Sequence, residues 1–99
     1  MTTYKATIPR PFAEVWPTLD DVARAQGWGV HLNSTQHDRE YSKNAGWTSW
    51  GVTLSVRLED AGDATLLTFT FRTTSITDRR RTRRDVERLV AQYGGTLNK

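Results

Sequence analysis

Between Thr48 and Arg72 apolar and polar residues take turns. Trp50, Val52, Leu54, Val56 and Leu58 are spaced by Gly51, Thr53, Ser55 and Arg57, and after Asp60-Ala61-Gly62-Asp63 the alternation resumes with Thr65, Leu67, Phe69 and Phe71. A period of two is the signature of a strand with one buried and one wet face. The tetrapeptide between the two runs combines a glycine with acids that bond their own backbone, which predicts a hairpin. The rest of the chain is expected to cover the apolar face of that hairpin.

Upstream, Tyr4, Ala6 and Ile8 alternate with Lys5 and Thr7 in a short strand that Pro9 ends. From Pro11 the period changes. Phe12, Val15, Trp16, Leu19, Val22 and Ala23 fall three and four apart, an apolar stripe along a helix that Gly27 stops. Pro17 inside it predicts either a kink or a short first turn followed by a helix that starts again at Pro17. Trp28, Val30 and Leu32 then alternate as a second strand, Ser34 to Asp38 reads as a turn, and Arg39 to Lys43 reads as a weak third strand whose charges suit a sheet edge. Past Arg72, Thr77 or Asp78 is placed to cap a last helix with Val86, Leu89, Val90 and Tyr93 as its buried stripe. Gly94-Gly95 ends that helix, and residues 96 to 99 read as a frayed tail. The order β-α-β-β-β-β-α predicts the α+β class: a single antiparallel sheet of about five strands with both helices on one face.

That order resembles the compact TBP-like or helix-grip architecture, of which the START/Bet v1-like (SRPBCC) proteins are larger members. The run Ile8-Pro9-Arg10-Pro11-Phe12-Ala13-Glu14-Val15-Trp16 is similar to the entry into the first helix of SRPBCC proteins. Ser49-Trp50-Gly51, and Thr77-Asp78-Arg79 ahead of Arg83 to Leu89, look like small bacterial domains of the same shape. The resemblance implies a fold and an apolar-ligand heritage in a chain shorter than a full Bet v1-like cavity requires. It carries over no catalytic residue.

Length and composition narrow the classes. Ninety-nine residues predict one domain with a single thin core. The absence of cysteine excludes a disulfide framework, a thiol nucleophile and a thiolate metal site, and it points to a reducing, cytoplasmic setting. No apolar run approaches the roughly 18 residues of a membrane span, and the N-terminal residues lack the apolar stretch of a signal peptide. The net charge of +3 is unevenly placed: six arginines lie between Arg79 and Arg88, against Asp85 and Glu87. Such a patch attracts anions.

Three binding readings follow, and none is enzymatic. In the first, a small apolar ligand sits between the last helix and the sheet, lined by Trp50, Leu54, Phe69, Phe71, Leu89 and Tyr93 with Trp47 at the mouth. In the second, Trp47, the sheet edge or the outer sheet face contacts a protein partner or a second copy of the chain. In the third, Arg80, Arg81 and Arg84 bind an anion or nucleic acid. The competing account of that cluster pairs Asp85 with Arg81 and Arg88, and Glu87 with Arg83 and Arg84, along a solvated helix face. Trp16, Trp28 and Trp50 fall on apolar faces and read as core, whereas Trp47 has the opposite parity to Trp50 and either anchors a contact or caps a strand end. His31 and His37 lack partners at ligating spacing, so no metal or cofactor is expected. Asp20 and Asp21 diverge by about 100° around a helix and read as solvated charges or partners of Arg24.

Overall fold

The computed structural model describes residues 2–31, 35–43, 52–71 and 76–98. In chain order the elements are β1 (Thr2–Ile8), α1 (Phe12–Ala25), β2 (Gly29–Val30), β3 (Asp38–Lys43), β4 (Val52–Asp60), β5 (Thr65–Phe71), α2 (Ile76–Ala91) and β6 (Thr96–Leu97). The strands form one antiparallel sheet in the order β2-β3-β4-β5-β1-β6.

The hairpin occupies the middle. Leu54 lies opposite Phe71, Val56 opposite Phe69 and Leu58 opposite Leu67, all buried, while Ser55, Arg57 and Glu59 face Thr70, Thr68 and Leu66 on the other side. At the turn, the Asp60 carboxylate accepts the Gly62 N–H at 3.0 Å, the local bond that acids make in turns. β1 joins in register, with Ala6 and Ile8 continuing the inner face. Val15, Leu19 and Ala23 of α1 and Val86, Leu89 and Val90 of α2 cover that face, and α1 is tied to the turn after α2 where the Thr18 hydroxyl and the Tyr93 phenol share a 2.8 Å hydrogen bond.

Both helices stop by the same device. Gly27 and Gly94 adopt positive φ (89° and 76°), a conformation that costs glycine little. The residue after each glycine then reaches back: the Trp28 N–H donates to the Ala23 carbonyl at 3.0 Å and the Gly95 N–H to the Val90 carbonyl at 3.2 Å. These six-to-one bonds, with the five-to-two bonds from Gly27 to Arg24 and from Gly94 to Ala91, make Schellman ends.

Several expectations change. α1 begins at Phe12 and continues through Pro17, so the chain does not restart its helix there; the proline and Ala13, whose carbonyl loses its intrahelical donor, are both exposed, and water can serve that carbonyl. α2 starts at Ile76, which puts Thr77 and Asp78 inside its first turn instead of at its cap. The second strand shrinks to two residues, and its expected member Leu32 lies outside the described residues. The sheet has six strands because the expected tail is itself a strand: Leu97 pairs with Ala6 and Thr96 with Thr7. Space explains the entry into it, since a Cβ on Gly95 would sit 2.9 Å from both the Ile8 side chain and the Thr7 carbonyl. No helix among the described residues is long and apolar enough to cross a membrane.

Candidate functional site

The third strand carries its two cations inward. Tyr41 lies opposite Leu54, so the period of two turns Arg39 and Lys43 to the same helix-covered side. Each meets a carboxylate from a different helix. The Arg39 guanidinium donates to both oxygens of Asp20 on α1, through Nε at 3.0 Å and through Nη2, while the Tyr41 hydroxyl donates to the same Asp20 Oδ1 at 2.8 Å. Lys43 Nζ donates to Asp85 Oδ2 of α2 at 2.7 Å, and its ammonium lies 4.7 Å from the centre of the buried Trp28 ring. A two-pronged arginine–carboxylate pair fixes geometry as well as charge. One strand therefore staples both helices to the sheet.

Burial gives these contacts weight. Arg39 and Asp20 side chains are 12% and 21% exposed, and Lys43 and Asp85 are 29% and 12% exposed. In such surroundings, removing one partner strands the other charge. Burial, reinforced by the hydrogen bond to Asp20 and by its negative charge, pushes the Tyr41 phenol well above the ordinary tyrosine range. Burial also raises Tyr93, against the opposing effect of its bond to Thr18.

Among the described residues no element covers the opposite face of the sheet, which is polar. Following the register across four strands gives one row of Thr3, Thr70, Ser55 and Glu40, and a second row of Lys5, Thr68, Arg57 and Asp38. Ser55, Thr68 and Thr70 are short, so they floor a groove of about 310 Å³ rimmed by Asp38, Glu40 and Arg57. Arg57 lies within 3.8 Å of Asp38 and 3.5 Å of Glu59. At the outer end of β3, His31 Nε2 is 3.2 Å from the Ser42 hydroxyl. On the helix-covered side, His37 stacks on Phe12 with ring centres 4.8 Å apart, and its Nδ1 lies 3.1 Å from the Leu58 carbonyl oxygen.

A second concavity follows the other sheet edge. Thr3, Tyr4, Lys5, Arg83, Leu97 and Asn98 line a groove of about 710 Å³ where α2 overhangs β1. The Arg83 guanidinium is 5.6 Å from the centre of the Tyr4 ring and its Nε donates to Glu87 at 3.1 Å.

The expected site residues divide. Leu54, Phe69, Phe71, Leu89 and Tyr93 come together, but as members of one core cluster, with Leu54, Phe69 and Leu89 fully buried. Trp47 and Trp50 lie outside the described residues. Arg80, Arg81 and Arg84 are exposed on α2, and among the described residues no carboxylate reaches salt-bridge distance of any of them. Glu87 pairs with Arg83 as the solvated-face account expects, whereas Asp85 points under the helix to Lys43 and not to Arg81 or Arg88. Asp21 pairs with Arg24, but Asp20 is part of the Arg39 and Tyr41 cluster instead of a solvated charge. The third strand is not an edge, since β2 and the backbone of His31 pair beyond it.

The inward ion pairs carry two signals in the sequence. Arg39 and Lys43 share the parity of Tyr41, and Asp85 falls within the spacing of Thr82, Val86 and Leu89. Among the described residues no cluster of three or more histidine, aspartate or glutamate side chains is placed to hold a metal ion. Compared with known proteins, the chain matches no family model and no curated protein.

Proposed function

We propose that the protein is a non-enzymatic interaction domain that receives a partner polypeptide on its sheet surface. The observation that carries this reading is the open face: short hydroxyl side chains floor its groove, and charges of both signs stand at the rim. Such a surface offers hydrogen bonds and charge registration to an extended chain, and little to a small apolar molecule. The inward-facing Arg39, Tyr41 and Lys43 are engaged with Asp20 and Asp85 as staples, which supports a structural role for them. The helix-grip resemblance belongs to the same proposal, supported by the β-α-β4-α order that precedes β6, and so does a cytoplasmic setting, supported by the lack of cysteine.

A second reading keeps the small apolar ligand between α2 and the sheet. It is favoured by the gathering of Leu54, Phe69, Phe71, Leu89 and Tyr93 in one cluster, and it requires those packed side chains to part. Thermal melting separates the two. The protein is heated with a panel of fatty acids, sterols and flat aromatics, and in parallel its amide spectrum is recorded with a pool of decapeptides of varied charge. The surface reading expects unchanged melting with the apolar panel and peptide-induced shifts on the sheet surface. A rise in melting temperature with any apolar compound, accompanied by shifts at Leu54, Phe69 and Leu89, overturns it.

A further inference from the structure

α2 turns its arginines outward. Thr82, Asp85, Val86, Leu89 and Val90 fill its buried side, and Arg80, Arg81, Arg84 and Arg88 are exposed within about 100° of one another around the helix. The two acids that fall among them are engaged elsewhere, Asp85 with Lys43 at 2.7 Å and Glu87 with Arg83 at 3.1 Å. Every acidic side chain of the sequence other than Asp78 is described, and none lies at salt-bridge distance from these four guanidinium groups. Arg80, Arg84 and Arg88 stand four apart, so each step along the stripe is a like-charge contact that disfavours the helix. A bound polyanion relieves it.

Spacing and neighbours say which polyanion. Four-residue steps advance ~6 Å along a helix, close to the separation of successive phosphates on one nucleic-acid strand. Guanidinium groups grip phosphate oxygens in two-pronged pairs. The side chains exposed beside the stripe, Glu87, Ala91 and Gln92, include neither an aromatic ring on which single-stranded bases stack nor a bulky apolar group that enters a bilayer. Duplex RNA is recognised through its 2′-hydroxyls as well as its phosphates, whereas a stripe of guanidinium groups answers phosphates. A stiff rod of evenly spaced phosphates fits best.

We infer that the outward stripe of α2, Arg80, Arg84 and Arg88 flanked by Arg81, binds the phosphate backbone of duplex DNA without regard to sequence. This surface lies on the helix side of the sheet, away from the hydroxyl-floored face that receives a polypeptide, so either role can fail without the other.

The probe is a short fluorescent DNA duplex of mixed sequence, followed by anisotropy with the full chain across a salt series. With the four arginines on phosphates, the logarithm of affinity is expected to fall with the logarithm of salt at a slope of about −3 to −4. Arg84→Gln is expected to weaken binding roughly fivefold and to flatten that slope by about 1, and Arg80→Gln, Arg84→Gln and Arg88→Gln together to abolish binding. Lys5→Gln removes the same charge from the other face of the sheet and is expected to leave affinity and slope unchanged. Because Arg84→Gln relieves repulsion along the stripe, its melting temperature should equal or exceed the parent's, which a structural arginine would not allow.

A duplex affinity that Lys5→Gln lowers as much as Arg84→Gln is diffuse attraction to a basic protein and overturns the inference. Tighter binding of oligothymidylate, duplex RNA, polyglutamate of equal charge or phosphatidylserine vesicles overturns it too, by giving the stripe to another polyanion. A preference of more than roughly tenfold between duplexes of unrelated sequence overturns backbone binding. No duplex binding at low salt ends the inference, and peptide-induced shifts at Ser55, Thr68 and Thr70 would then stand alone.

Discussion

At the scale of single residues the fold depends on three neighbours of one parity, Arg39, Tyr41 and Lys43. A carboxylate that is one-eighth to one-fifth exposed and paired cannot lose its partner cheaply. Asp85→Leu is therefore expected to cost about 3 kcal/mol, and Lys43→Met added to it to restore most of the loss, because a buried pair replaced whole by apolar groups leaves no orphan. Urea denaturation of the two single variants and the double checks this; simple additivity contradicts it. Tyr41 gives a pH test. Its phenol holds its proton in the folded state above the ordinary range, so the unfolded chain sheds protons first as pH rises. The contribution is fully present below about pH 10 and declines above it. Tyr41→Phe should flatten the alkaline loss of stability followed by denaturation between about pH 9 and 12. An unchanged alkaline slope contradicts the assignment.

Much of the element scale is readable from periodicity. Alternation from Val52 to Phe71 becomes β4 and β5 with their apolar sides buried, and the glycines at 27 and 94 end the helices. What escapes the sequence is the set of features decided by a neighbour. Asp20 reads as solvated because its own helix gives no hint of Arg39, nineteen residues on. Charges on β3 suggest an edge because charge usually seeks water; here helix carboxylates on the inner face outweigh that preference. Thr96 and Leu97 are too few to show a period, and only β1 makes them a strand. Gly95 is the pivot of that last element. Gly95→Ala is expected to cost about 1–3 kcal/mol by driving a methyl group into Ile8 and the Thr7 carbonyl. Thermal denaturation reads the loss; a variant as stable as the parent shows that the approach relaxes without strain.

On the scale of the whole molecule, the two sides of the sheet do different work. Among the described residues, one hydrophobic cluster and ion pairs to both helices occupy the inner side, and the outer side carries hydroxyls and charges. Ser55→Arg and Thr70→Arg place bulk in the floor of the outer groove without entering the core. Each should leave stability within about 0.5 kcal/mol of the parent while weakening peptide association on that face. The broader claim is that recognition happens on the surface of a closed interior. Residue-by-residue amide mapping of the labelled protein, titrated first with the decapeptide pool and then with a long-chain fatty acid, tests it most directly. Shifts confined to Ser55, Arg57, Thr68 and Thr70 with peptide, and none with the fatty acid, are the expected result; fatty-acid shifts centred on Leu54, Phe69, Phe71 and Leu89 contradict the account.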